Sequence, residues 1–209
     1  MKEDLIRRAQ EIITIINQIP NVKNCTLYGS LAENRDDSLS DIDIEVDISG
    51  MDNGVFALLL PELVKQKMQV FYTDYAPSLA PEQYVVSIAL DEENPFLIAD
   101  IRCRAYPHYG TISKEQLKDQ NDPYTHMLKL WTINLKHFAR DDDCSDDIHR
   151  MAAKVGIQEQ RKKDKAELLM EVLHWLESNA PEHLSCFVKS CRRETERIDS
   201  EIDIYPKAN

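Results

Sequence analysis

The chain has 209 residues, a formal net charge of −12, 43% hydrophobic residues and 30% charged ones. That length allows one large domain or two small ones, each able to bury a core, and the composition excludes a disordered or fibrous protein. The negative balance repels phosphate backbones, so nucleic acid is disfavoured as a partner and a small or cationic one is expected.

The first twenty residues, MKEDLIRRAQEIITIINQIP, set Leu5, Ala9, Ile12, Ile13 and Ile16 at helical spacing, which predicts a helix stopped by Pro20 and Asn21. Early acids and amphipathic spacing are wrong for a signal peptide, and no apolar run is long enough to cross a bilayer. The expectation is a cytoplasmic protein with no membrane contact. Five cysteines without a CxxC pair fit a reducing compartment. His183, Cys186 and Cys191 have the look of a metal knuckle, but Cys191 belongs to an apolar helical stripe, so zinc there is disfavoured.

Cys25 to Tyr28 is β-prone and stops at Gly29; a polar loop or short helix follows, then strict alternation from Asp41 to Ile48 predicts a second strand. Val55 to Lys67 reads as a helix despite Pro61, taken as lying near its start or causing a kink. Three more extended segments are expected at 69–75, 84–90 and 96–105, and 106–123 reads as a linker because of Pro107, Gly110, Asn121 and Pro123.

Beyond Pro123 the periodicity is helical only. Tyr124, Met127, Leu128, Trp131, Leu135 and Phe138 form one stripe, Ala166, Leu169, Leu173 and Leu176 a second, and Leu184, Phe187, Val188, Cys191, Thr195 and Ile198 a third. Residues 148–155 add a helix with Ser145 as its N-cap and Asp146 and Asp147 in its first turn. The fold class expected is α+β, with a mixed-sheet domain over residues 1–118 followed by an all-α bundle over 119–209.

The alternating strand carries Asp41, Asp43, Glu45 and Asp47 on one face and Ile42, Ile44, Val46 and Ile48 on the other. A solvated sheet face is the plain alternative, but adjacent like charges repel, and four acids in a row call for a cation. A hard divalent ion such as Mg²⁺ fits oxygen ligands and retains waters that phosphate oxygens can replace. Two such ions sharing a carboxylate pair need a third acid. Asp100, between Ala99 and Ile101, is the candidate; a salt bridge to Arg102 or Arg104 is the competing account. Gly29 ends a strand where a missing side chain admits a phosphate, and Ser30 supplies a hydroxyl at the opening of a helix, although Gly-Ser alone is an ordinary turn.

Tyr28-Gly29-Ser30, the ten-residue gap, Asp41-Ile42-Asp43-Ile44 and Ala99-Asp100-Ile101 resemble the nucleotidyltransferase superfamily that includes DNA polymerase beta. The likeness covers about residues 22–105, and the helical half resembles the bundles of aminoglycoside and lincosamide nucleotidyltransferases. The resemblance makes residues 1–118 the nucleotidyltransferase domain. It implies that Gly29 and Ser30 bind the nucleotide, that Asp41, Asp43 and Asp100 are catalytic and hold two Mg²⁺ ions, and that Asp100 completes the metal site or acts as base. It also implies a nucleoside triphosphate donor, ATP, and a small-molecule acceptor hydroxyl, cationic and of aminoglycoside type in the sharpest version.

Lys129 and Lys136, on the side of their helix opposite the apolar stripe, are the candidates for further nucleotide contacts; a solvated lysine face is the alternative. The run Asp141-Asp142-Asp143 reads as a capping loop or as a dock for a polycation. The competing functional readings are a nucleotide-binding regulatory module with weak or no catalysis, and transfer to a protein or nucleic-acid acceptor.

Overall fold

The computed structural model describes residues 2–76, 78, 80–157 and 164–202. Its contacts divide the chain into two compact units, Met1–Asp91 with Phe96–Asp122, and Glu92–Pro95 with Pro123–Asn209.

The first unit is α+β. Helix α1 (Lys2–Asn17) precedes β1 (Asn24–Tyr28), the single-turn α2 (Gly29–Ala32), β2 (Ile42–Asp47), α3 (Asn53–Lys65), β3 (Tyr72–Ala76), β4 (Gln83–Ala89), β5 (Ile98–Arg104) and α4 (Lys114–Lys118). The strands form one sheet in the order β1-β2-β5-β4-β3. Strands β2 and β5 run parallel, while β1–β2, β4–β5 and β3–β4 are antiparallel, so the expected mixed sheet is present.

Alternation sorts the two faces. Ile42, Ile44, Val46 and Ile48 have no exposed surface and join Ile101, Cys103, Val86 and Ile88 with Leu5, Ala9, Ile12 and Ile16 of α1 and Phe56, Leu60 and Val64 of α3 in one core. Each valine, leucine, isoleucine or phenylalanine among them contributes about 1.5–3 kcal/mol on burial. The opposite face of β2 and β5 holds the charged residues.

Three local expectations give way to other geometry. Helix α3 starts two residues earlier than the periodicity suggests, because Asp52 accepts the Val55 N–H as N-cap at 2.9 Å. Pro61 lies within the helix, not near its start, and is buried there; it forfeits one hydrogen bond of the helical ladder. The segment 106–123 is not a bare linker. It contains α4, started by a capping box in which Ser113 accepts the Gln116 N–H and the Gln116 side chain accepts the Ser113 N–H. The same segment packs on the first unit: the Tyr84 hydroxyl donates to the Ile112 carbonyl at 2.9 Å, and a Cβ on Gly54 would meet that carbonyl oxygen at 2.3 Å.

The second unit is helical, with α5 (Pro123–Ala139), α6 (Ser145–Lys154), α7 (Lys165–Asn179), a 3₁₀ turn (Glu182–Leu184) and α8 (Ser185–Ile202). The three stripes supply its core through Leu128, Trp131, Leu135, Leu169, Leu173, Leu176, Phe187, Cys191 and Ile198. The Trp131 indole donates to the Leu169 carbonyl at 2.9 Å, tying α5 to α7. Helix α6 begins one residue earlier than expected in capping terms: Cys144 occupies the N-cap without a side-chain bond, and Ser145 is already helical. The loop 92–95 between β4 and β5 belongs to this unit, where Arg193 donates to the Glu93 carbonyl.

Among the described residues no helix is long and apolar enough to cross a membrane.

Candidate active site

The sheet register builds the site. Tyr28 of β1 faces Asp43 of β2, Asp43 faces Asp100 of β5, Asp100 faces Ser87 of β4, and Ser87 faces Asp74 of β3. Cross-strand partners share a face, so these five residues form one row across all five strands, with neighbours roughly 5 Å apart. Asp41 stands immediately before β2, two positions from Asp43 and on its side. Asp41, Asp43 and Asp100 are half-buried, whereas Asp74 and Ser87 are almost wholly enclosed, at 1% and 0% exposure.

Gly29 adjoins the row. Its φ is +72°, a left-handed value that disfavours any side chain, and a Cβ there would lie 2.3 Å from Asp43 Oδ2. The glycine therefore makes room for the Asp43 carboxylate. The following turn, α2, has only four residues, so its dipole is small and Ser30 acts through its hydroxyl. That hydroxyl donates to Ser40 Oγ at 3.3 Å, and Ser40 donates to Asp37 Oδ1 at 2.9 Å. Ser40 is buried and receives the Asp37 N–H, which pins the loop leading into Asp41.

The next rows separate two kinds of acid. Glu45 faces Arg102 and Asp47 faces Arg104 in register, and Arg104 pairs diagonally with Glu45 at 3.1 Å. The Arg102 guanidinium lies 4.7 Å from the Tyr28 ring centroid. Both arginines thus have partners other than Asp100. Asp47 accepts the Ser49 N–H, and hydrogen bonds from Ser49 hold its carboxyl below the usual range. Glu45 and Asp47 are a charge-matched surface, while Asp43 and Asp100 sit where the cross-strand neighbours are Tyr, Ser or another acid. Burial, and next the Asp43 charge, push the Tyr28 phenol up to about 12, so it remains a neutral donor or acceptor beside the row.

These residues fit a hard divalent cation in donor chemistry and in backbone placement: carboxylates on adjacent parallel strands, with a glycine making room for one of them. Their side chains are not drawn together. Asp43 Oδ2 leans against Gly29 and Asp100 Oδ1 accepts from Ser87, and among the described residues no three acidic, imidazole or thiol groups converge closely enough to hold a metal ion as they stand.

The remaining sequence candidates lie in the second unit. Lys129 and Lys136 are buried, at 4% and 7% exposure, so the solvated lysine face does not exist. Helix α5 touches α6, α7 and α8, and a central helix is enclosed around most of its circumference. The Asp141–Asp143 run is the α5–α6 turn: Asp141 has φ 58° and Asp142 Oδ2 lies 2.9 Å from His137 Nδ1. Asp147 pairs with Arg150 on the surface. Cys191 is buried and Cys186 exposed, with no metal-holding group around them among the described residues.

Sequence reading missed Ser87, Ser40 and Asp74. The signal for Ser87 was a lone hydroxyl in an apolar strand, Tyr84-Val85-Val86-Ser87-Ile88, where a buried Ser is costly without a partner.

No protein-family model and no curated protein matches the chain. Solved structures do. A GLD-2/RNP-8 complex matches at 12% identity and TM-score 0.39, over 97% of this chain and 68% of that one. A poly(A) polymerase complex of GLD-2 with GLD-3 matches at 14% and 0.39, over 97% and 60%. The STING-associated CdnE c-di-GMP synthase from Capnocytophaga granulosa matches at 14% and 0.37, over 98% and 82%. None of these three is an antibiotic-modifying enzyme, and at such TM-scores nothing about reaction or substrate carries over to this chain.

Proposed function

We propose that the chain is a Mg²⁺-dependent nucleotidyltransferase that moves a nucleoside monophosphate, AMP from ATP, onto the hydroxyl of a small molecule. The observation that carries this reading is the register: Asp43 and Asp100 are paired on adjacent parallel strands, beside a left-handed Gly29 and the Ser30 hydroxyl. In this reading Asp41, Asp43 and Asp100 would hold the divalent ions, two in number, through hard oxygen donors. Bound there, the ions supply charge stabilisation on the oxygens entering and leaving phosphorus.

The chain's own residues do the positioning. Gly29 and Ser30 receive the terminal phosphates through backbone N–H and hydroxyl. The acceptor oxygen forms a bond to the α-phosphorus, the α–β phosphoanhydride bond breaks, pyrophosphate leaves, and the hydroxyl proton passes to Asp100 as base. A net charge of −12 favours a cationic acceptor, with an aminoglycoside-type antibiotic as the sharpest version.

The test is incubation with α-labelled ATP, Mg²⁺ and a panel of aminoglycosides and lincosamides. Labelled acceptor and released pyrophosphate are expected, and Asp43→Asn should lower turnover by roughly a hundredfold or more. Pyrophosphate release with no labelled antibiotic would end the antibiotic version and leave another acceptor to be sought. Mg²⁺-dependent ATP binding with no pyrophosphate under any acceptor would point instead to a nucleotide-binding module without turnover.

A further inference from the structure

Ser87 is wholly buried at the centre of β4, whose other residues on that face are Gln83, Val85 and Ala89. A hydroxyl buried without a partner costs free energy, and a valine or threonine would suit the strand better. Its partner is Asp100, whose Oδ1 accepts the Ser87 hydroxyl. The geometry around Asp100 is asymmetric. On the β2 side it faces the like charge of Asp43, and on the β4 side it faces a neutral donor. Like charges directly opposite repel, so a free Asp100 would turn among several rotamers. A charge-assisted bond from Ser87 selects one of them.

We infer that Ser87 is a positioning residue for the metal site, holding Asp100 through Oδ1 so that its other oxygen serves as the metal ligand. The inference rests on the proposal that Asp41, Asp43 and Asp100 bind a divalent ion. Gly29 does the matching work on the other flank, giving Asp43 Oδ2 its place. Each carboxylate is thereby oriented from its outer side, one by the space a glycine leaves and the other by a hydroxyl. Groups that orient metal ligands from behind alter affinity without touching the ion.

The test measures Mn²⁺ binding by calorimetry and by electron paramagnetic resonance, apart from any turnover, in the full chain. Ser87→Ala should weaken Mn²⁺ binding roughly tenfold while circular dichroism and the metal-free melting midpoint stay near wild type. Ser87→Thr, which keeps the hydroxyl, should retain wild-type affinity. Ser87→Cys, with only a weak donor, should behave as Ser87→Ala and serves in its place should the alanine variant fail to fold. In an Asp100→Asn background, Ser87→Ala should add nothing further, because its effect runs through that carboxylate. Wild-type Mn²⁺ affinity in Ser87→Ala and Ser87→Cys, or a full additional loss in the Asp100→Asn background, would overturn the positioning role alone. A wild-type protein that binds no Mn²⁺ would overturn the metal site and this inference together.

Discussion

Replacing Gly29 by alanine tests the site at its tightest point. The left-handed backbone there costs an alanine about 1–2 kcal/mol, and the new Cβ would collide with Asp43 Oδ2. Denaturant unfolding should register the first cost. Metal-dependent turnover should fall by more than that destabilisation accounts for, because Asp43 has to move. A variant whose activity loss tracks its stability loss would remove Gly29 from the site. Gly29, Ser30, Asp41, Asp43 and Asp100 were legible in the sequence because each departs from its local context: a glycine ending a strand, acids alternating with isoleucines, an acid in an apolar run. Ser87 and Ser40 were not. Their meaning lies in what stands across the sheet or ten residues away, and no local spacing encodes that adjacency.

At the scale of elements, the strands and long helices follow from periodicity, whereas their ends depend on caps. Helix α4 hid inside an apparent linker because Pro107, Gly110 and Pro123 outweighed the short Ser113-x-x-Gln116 signal. Ser113→Ala should therefore lower stability by about 1 kcal/mol in denaturant melts. Helix α5 shows the opposite failure. One apolar stripe was read, yet Thr125, Lys129, Thr132, Asn134 and Lys136 are buried as well. Two of the polar members bond back within the helix: Thr132 donates to the Leu128 carbonyl and Asn134 Nδ2 to the Leu130 carbonyl, each at 2.9 Å. Between α7 and α8, Arg192 makes two 2.8 Å hydrogen bonds to Glu177. That guanidinium holds the Glu177 carboxyl below its ordinary value of 4.5. A depressed carboxylate contributes stability that is present above its unfolded pKa and disappears as pH falls through the folded one. Glu177→Gln should thus cost about 0.5–1 kcal/mol at pH 7 and almost nothing near pH 3. Thermal melts across that range check the sign.

For the whole molecule, the charge of −12 makes salt a confounder that has to be separated from specific binding. Simple screening by NaCl should raise the melting temperature slightly. Mg²⁺ at matched ionic strength should raise it further, by the equivalent of about 2.7 kcal/mol at a hundredfold excess over its dissociation constant. Asp43→Asn should abolish the excess and leave the screening part. Equal shifts from NaCl and Mg²⁺ in the wild type would mean that no specific divalent site exists. Because the units are distinct and the chain passes between them at 91–92, 95–96 and 122–123, melting need not be a single transition. A chemical denaturation followed by two probes, the fluorescence of Trp131 and Trp175 for the helical unit and far-ultraviolet dichroism for the sum, separates them.

The parallel pairing of β2 with β5 is the join between two antiparallel blocks, β1–β2 on one side and β5–β4–β3 on the other. Each block can zip from contacts close in sequence. The join requires residue 43 to find residue 100, a closure that comes late and slowly in a folding chain. Asp43 and Asp100 repel at that join, so the last step of assembly brings together the two charges that favour it least. A divalent ion captured there would change the order of events: it would speed the closing of the sheet, or slow its reopening, with the difference visible as Mg²⁺-dependent hydrogen-exchange protection at the β2 and β5 amides.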